Sequence, residues 1–232
     1  MKNILISAAV LGAMLFGNET QAQEITYGVK AGYSFANVRA PKRLDIYDVR
    51  QIGTYNFSAY IDLPFSEGFS LQTGLSINGK GTKLTVGDRE GKTWTEYNSN
   101  PYYLELPANA VAKIAIGDIF DKCNVILGGG PYVAMGVSGK NKINGKTLGV
   151  AYDSEDNIMF SNDDQAVNSR NFYGEFKNFD FGLNALAGIE YHWATFNLNY
   201  SYGMVNVNPG ANLSAIDRMK NRTWSASIGV RF

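Results

Sequence analysis

One cysteine and one histidine serve the whole 232-residue chain, and that scarcity removes several functions at once. Cys123 has no internal partner for a disulfide, and a lone Cys with a lone His leaves too few ligands for a zinc or other transition-metal centre. Charge of one sign is lacking too: Lys and Arg number 21, as do Asp and Glu. No basic excess points to nucleic acid. Proline is scarce at six, against 25 glycines, 14 tyrosines and 13 phenylalanines, which favours many strands with aromatic belts over a helical fold. No apolar stretch reaches 18 residues, so no spanning helix is expected. An integral membrane chain of this kind must then be a closed barrel, since only helices and closed barrels satisfy every backbone group in lipid. GxSxG, HExxH and Walker-type sequences are missing as well, so no enzymatic activity and no cofactor are expected.

What is present begins with a leader. Lys2 charges the first residues, Ile4 to Phe16 is apolar, and Thr20-Gln21-Ala22 offers small residues at a cleavage position. The expectation is a signal peptide over residues 1–22 and one exported domain over 23–232. No Cys follows the leader, so a lipid anchor is not expected.

The clearest pattern lies in Thr223 to Phe232 (TWSASIGVRF). Trp224, Ala226, Ile228, Val230 and Phe232 share one face, and Thr223, Ser225, Ser227, Gly229 and Arg231 share the other. Apolar on one side and small and polar on the other suits lipid outside and a narrow wet lumen inside; a soluble sheet would carry Lys and Glu on its wet face. The same alternation predicts strands over about Ile25–Ala36, Gly53–Leu63, Phe69–Lys80, Tyr102–Ile114, Cys123–Ser138, Phe176–Tyr191 and Thr195–Val207. With the terminal strand these make an all-β, eight-stranded, antiparallel up-and-down transmembrane β-barrel. Its connections alternate long and short, which places the termini on the periplasmic side and the long loops outside. Aromatics mark both strand ends: Tyr27, Phe65, Phe69, Phe120, Trp193, Phe196 and Phe232 low, and Tyr33, Tyr55, Tyr102, Phe179, Tyr202 and Trp224 high.

Strand parity sends eight charged residues inward: Lys30, Lys80, Lys113 and Arg231 against Asp62, Glu105, Asp180 and Glu190. Balanced signs in a lumen only wide enough for side chains predict a structural ion-pair network; an ion path would show a bias of one sign. Lys80 and Glu105 are expected to face each other across a hairpin. Pro107 and Pro131, at nearly one height on adjacent strands, predict a bulge or a missing rung beside Gly128 to Gly130. His192 sits in a short turn beside Trp193, with no Ser nearby, which suits an interfacial structural role better than a general base. The acidic run Asp153 to Asp164 lacks the sixth-position Gly of an EF-hand and reads as a solvated loop.

The long connection Gly139 to Glu175 carries Ile158, Met159 and Phe160 between charged flanks. An exposed apolar trio there predicts a partner-binding tip, unless the segment forms a hairpin in which Phe160 packs on Val150 or Tyr152. Two readings from other classes compete with the membrane barrel. One is a soluble lipocalin-like ligand-binding barrel, whose wet surface would then be Gly, Ser and Asn. The other is an outer-membrane lipid-modifying enzyme, which needs a Ser or an acid near His192.

The segment YYLELPANAVAKIAIG, followed by VILGGGPYVAMGVSG, resembles the eight-stranded outer-membrane β-barrels of Bacteroidetes often called PorT-like. The terminal strand ending in Phe232 is also similar to those of bacterial outer-membrane barrels, where the assembly machinery reads it. The resemblance implies a small barrel without catalytic residues. A lumen only wide enough for side chains makes a general porin unexpected, and the outward apolar face is expected to meet outer-membrane lipids. An extracellular or periplasmic protein is a further expected partner.

Overall fold

In the computed structural model the described residues are 24–39, 47–87, 93–116, 123–162, 175–207 and 219–232. They form strands β1 (Thr26–Arg39), β2 (Tyr47–Arg50), β3 (Ile52–Ser66), β4 (Phe69–Gly79), β5 (Thr82–Gly87), β6 (Trp94–Ala115) and β7 (Cys123–Thr147). Then come β8 (Val150–Asn157), β9 (Met159–Phe160), β10 (Glu175–Phe176), β11 (Phe179–Tyr191), β12 (Ala194–Gly203) and β13 (Lys220–Arg231). Residues 1–22, expected to be a leader, lie outside the described residues, as does Phe120 of the low aromatic set.

Eight of these strands close a ring. Antiparallel pairing runs from β13 through β1, β3, β4, β6, β7, β11 and β12 back to β13. The first and last strands join in register from Gly28 opposite Arg231 to Arg39 opposite Lys220, and Tyr27 and Phe232 exchange two backbone hydrogen bonds below that ladder. The expected eight-stranded barrel is thus the fold, and no wall strand is left with an open edge.

The alternation that set the strands also sets their faces. Tyr27, Val29, Tyr33 and Phe35 on β1 are exposed outward, as are Tyr55 and Phe57 on β3 and Trp224 and Ile228 on β13. Ser34, Asn56, Asp62, Ser227 and their neighbours are buried inside. At about 3.3 Å per residue and a tilt near 40°, the outward run from Ile25 to Phe35 climbs about 25 Å, the height of an outer-membrane apolar band. Tyr60 points inward, and it fits because its ring lies against Gly28, where a Cβ would come within 2.4 Å of the ring.

Above that band the structure departs from the expected loops. Residues 81–100, expected as a loop, contain β5 and the upper turn-proximal part of β6, paired from Thr82 opposite Ser99 to Gly87 opposite Trp94. Likewise β7 continues past Ser138 to Thr147, turns at Leu148 and Gly149, and returns as β8. With β2 on β5, the segments β2-β5-β6-β7-β8 make a five-stranded sheet standing above the ring. Asp153 to Asn157 of the acidic run thus lie in an edge strand rather than a loop, and Asp163 and Asp164 fall outside the described residues. The reason is in the residue types: even buried positions here are polar, as at Thr82, Thr85, Glu96, Ser99 and Asn141, so no sustained apolar alternation marks these strands.

The two prolines do interrupt the wall. Between β6 and β7 the pairing passes from Pro107 opposite Tyr132 to Ala110 opposite Gly129, leaving out residues 108–109 and 130–131. Between β4 and β6 it passes from Thr73 opposite Ala108 to Ser76 opposite Glu105, and there the Thr73 hydroxyl donates to the Pro107 carbonyl at 2.7 Å. Rungs are missing on both sides of Pro107, whereas the one register shift between β6 and β7 lies higher, between Tyr102 and Tyr103. Each lost ladder bond is worth about 1 kcal/mol, so the amides of Leu106, Ala108 and Asn109 should exchange with deuterium about fivefold faster than those of β1. Equal protection of the two regions in hydrogen-exchange mass spectrometry contradicts this weak seam.

Candidate functional site

Seven of the eight inward charges fall into two layers. In the lower layer Lys113 on β6 forms an ion pair with Asp62 on β3 and lies 3.7 Å from Glu190 on β11. The Arg231 guanidinium reaches the same Glu190 at 2.8 Å, and its Nε donates to the His192 carbonyl at 2.9 Å. In the upper layer Lys80, just beyond β4, extends between Glu105 on β6 at 2.9 Å and Asp180 on β11 at 3.2 Å. Tyr132 and Asn221 also donate to Asp180, at 3.2 and 3.0 Å, and Asn184 donates to Glu105 at 3.2 Å. The Lys80 ammonium lies 4.0 Å from the centre of the Tyr132 ring.

Lys80 and Glu105 thus pair, though not as directly opposed residues. Glu105 is opposite Ser76 in the ladder, while the Lys80 amide donates to the Pro101 carbonyl higher up. The side chain reaches down and inward to find its partner, which only a long, flexible residue can do. Lys30 is the member that joins neither layer. Its ammonium is held by the Gln72 side-chain carbonyl at 2.8 Å and lies 4.3 Å from the centre of the Tyr60 ring. Between the layers lies a cavity of about 40 Å³ lined by Lys30, Asn56, Gln72, Asn109, Asn199 and Ser227 among others. It has room for a few waters at most, given that one water needs about 10–15 Å³ of such space.

The mouth above the upper layer corrects the expectation for Ile158, Met159 and Phe160. Ile158 is buried with Phe176 and Val207, and Phe160 packs against that cluster and edge-on to Tyr103 at 5.6 Å. The Phe160 ring sits on the bare backbone of Gly136, where a Cβ would approach it to 2.2 Å. Only Met159 is exposed. The trio therefore forms no apolar tip. β9 pairs in parallel with β10, folding the segment over the barrel mouth, where Phe176 and Val207 bury Ile158 and Tyr103 partly covers Phe160. The alternative holds in part: β7 and β8 do form a hairpin above the wall, but Phe160 packs on Tyr103 and Gly136 rather than on Val150 or Tyr152.

On the outward face of the upper sheet, Lys140 forms an ion pair with Glu155, Lys142 reaches the same carboxylate at 2.9 Å, and Lys83 pairs with Glu96 at 2.7 Å. Hydrogen bonds from Lys140 and Lys142 hold the Glu155 carboxyl well below the usual range, at about 2. Strand pairing brings these lysines, from β5 and β7, onto one surface that sequence spacing alone does not reveal.

At the opposite end, His192 occupies an exposed turn with φ at +53°, its ring edge-on to Tyr191 at 4.6 Å. Among the described residues no group of three or more His, Cys, Asp or Glu side chains could hold a metal ion. The family model described as an outer membrane protein beta-barrel domain matches residues 21–208. No curated protein matches the chain. Solved structures similar to it include Ail, the attachment invasion locus protein of Yersinia pestis, at 15% identity and a TM-score of 0.41, over 90% of this chain and 100% of that one. Neisserial surface protein A is similar at 12% identity and a TM-score of 0.40, over 90% and 100%. OprG of Pseudomonas aeruginosa is similar at 12% identity and 0.32, over 89% and 95%.

Proposed function

The chain belongs to the family of outer membrane protein β-barrel domains, and on that premise we propose that it is a non-porin barrel whose working surface is its extracellular sheet. Residues 1–22 direct export, the termini lie in the periplasm, and the assembly machinery reads the terminal strand. The finer relationship is to the PorT-like barrels of Bacteroidetes, on the strength of β6 and β7. The extracellular sheet serves binding or assembly with a protein partner, and the lumen is structural.

One observation carries this reading: ion-pair layers fill the lumen at two heights, while the long connections build an ordered five-stranded sheet at one end. A path for ions needs binding weak enough to release them, and carboxylates already bridged by Lys and Arg offer little to a passing cation. The soluble lipocalin-like reading is disfavoured because Phe57, Leu75, Leu183, Leu198 and Ile228 stay exposed around the wall. The lipid-modifying enzyme reading is disfavoured by His192, whose turn lies at the end away from the outer leaflet. In planar bilayers the purified protein should give no stepwise conductance where a general porin, measured alongside, gives large steps. Porin-sized steps contradict the proposal.

A further inference from the structure

Two concave surfaces on the outward wall follow one another along the same strands. The lower is apolar, about 1170 Å³, and runs round the wall over the small floor residues Ala31 and Ala59 between Phe57, Ile77 and Leu104 on one side and Ile228 on the other. The upper is about 550 Å³ and is lined by Gln51, Asn98, Asn100, Lys83, Lys140 and Lys142. Gly53 and Tyr102 also line it. On β6 only two residues, about 7 Å, separate Tyr102 in the upper surface from Leu104 in the lower; on β3 the step from Gly53 to Phe57 is about 13 Å. Both surfaces face away from the lumen, and the change from one to the other occurs at the height of the upper aromatic belt, beside Tyr55. That is the depth of lipid headgroups.

The chemistry changes with the depth. Below, the lining is aliphatic and aromatic apart from Lys30, Ser58 and Thr195; above are three ammonium groups, three side-chain amides and two carboxylates at the edges. Glu155 is shared by Lys140 and Lys142, whose side chains remain 64% and 55% exposed, so donors are left for a second anion. Three lysines against Glu96 and Glu155 leave one net positive charge. That is little for capturing a free anion from water, and enough to orient one tethered beside it in the membrane.

We propose that this amphipathic pair of surfaces binds a phosphate-bearing lipid of the outer leaflet, with an acyl chain along the Ala31 and Ala59 floor and the phosphate on Lys140 and Lys142 in competition with Glu155. The site rests on the reading that the outward wall meets lipid. Its position explains the polarity of each half, which neither a soluble ligand nor a protein docking from above requires.

The test titrates the purified mature chain, in neutral detergent, with diphosphoryl lipid A, with phosphatidylcholine and with sodium phosphate, counting bound lipid by native mass spectrometry. Diphosphoryl lipid A should bind about tenfold more tightly than phosphatidylcholine, and Lys140→Gln with Lys142→Gln should remove that preference. Glu155→Gln should strengthen it, and excess sodium phosphate should not displace the lipid. An unchanged preference in the double variant overturns the site, and so does full displacement by phosphate, which marks a free-anion site instead. A heat-dependent gel shift on the same samples reports the folded barrel. An intact shift with unchanged preference defeats the site alone, whereas a wild-type chain with no shift overturns the barrel reading and the site with it.

Discussion

Replacing Lys80 with methionine should destabilise the folded barrel by about 3–5 kcal/mol, the cost of leaving buried charge without its counterion. Methionine keeps much of the length and apolar stem, so the loss isolates the ammonium. Both Glu105 and Asp180 depend on that one group, and all three side chains are at most 3% exposed. Tyr132, Asn221 and Asn184 still donate to the two acids, but neutral donors do not cancel two negative charges facing one another. Adding Asp180→Asn to Lys80→Met should recover part of the loss. The same change at Lys140, on the wet sheet, should stay within about 0.5 kcal/mol because exposed ion pairs contribute little. Urea titrations in lipid vesicles, read by the folded and unfolded gel bands, give both numbers. A Lys80→Met cost under about 1 kcal/mol contradicts the account of the upper layer.

The wall of the barrel was legible because two different media lie on its two sides. Wherever lipid is on one face and lumen on the other, as along β1 and β13, period-2 alternation is strong and the strand can be read directly. It fades where buried positions are themselves polar. Thr82 to Gly87 offers only Leu84 and Val86 as an apolar alternation, and Trp94 to Asn100 buries Glu96 and Ser99, so both read as loop, although they are paired rung by rung. Helix was excluded throughout by the same periodicity, not by composition alone.

The interior charges were legible in direction but not in partnership. Parity sends Lys80 and Asp180 inward, yet they meet because strand order and stagger bring β4 and β11 across the lumen, which no local pattern encodes. Ile158 and Phe160 failed for a related reason. Three consecutive apolar residues have no periodicity to assign a face, and their burial depends on Tyr103, Phe176 and Val207 from distant parts of the chain. The basic surface at Lys83, Lys140 and Lys142 likewise exists only after β5, β6 and β7 pair.

The central claim is that the outward face of the ring meets lipid, and a pair of arginine substitutions tests it most directly. Leu198 lies outward midway along β12, between Ala187 and Ala226 of its neighbours, and is 49% exposed. Val150 begins β8 on the sheet above the band and is 72% exposed. If water bathed both, arginine at either site would change little. With lipid around the wall, Leu198→Arg should cost about 2–4 kcal/mol in vesicle-folded protein, and Val150→Arg close to nothing. Urea unfolding of the two variants beside the parent decides the matter: a large loss confined to Leu198→Arg is the result expected here, and equal, near-zero losses at both positions contradict the membrane barrel.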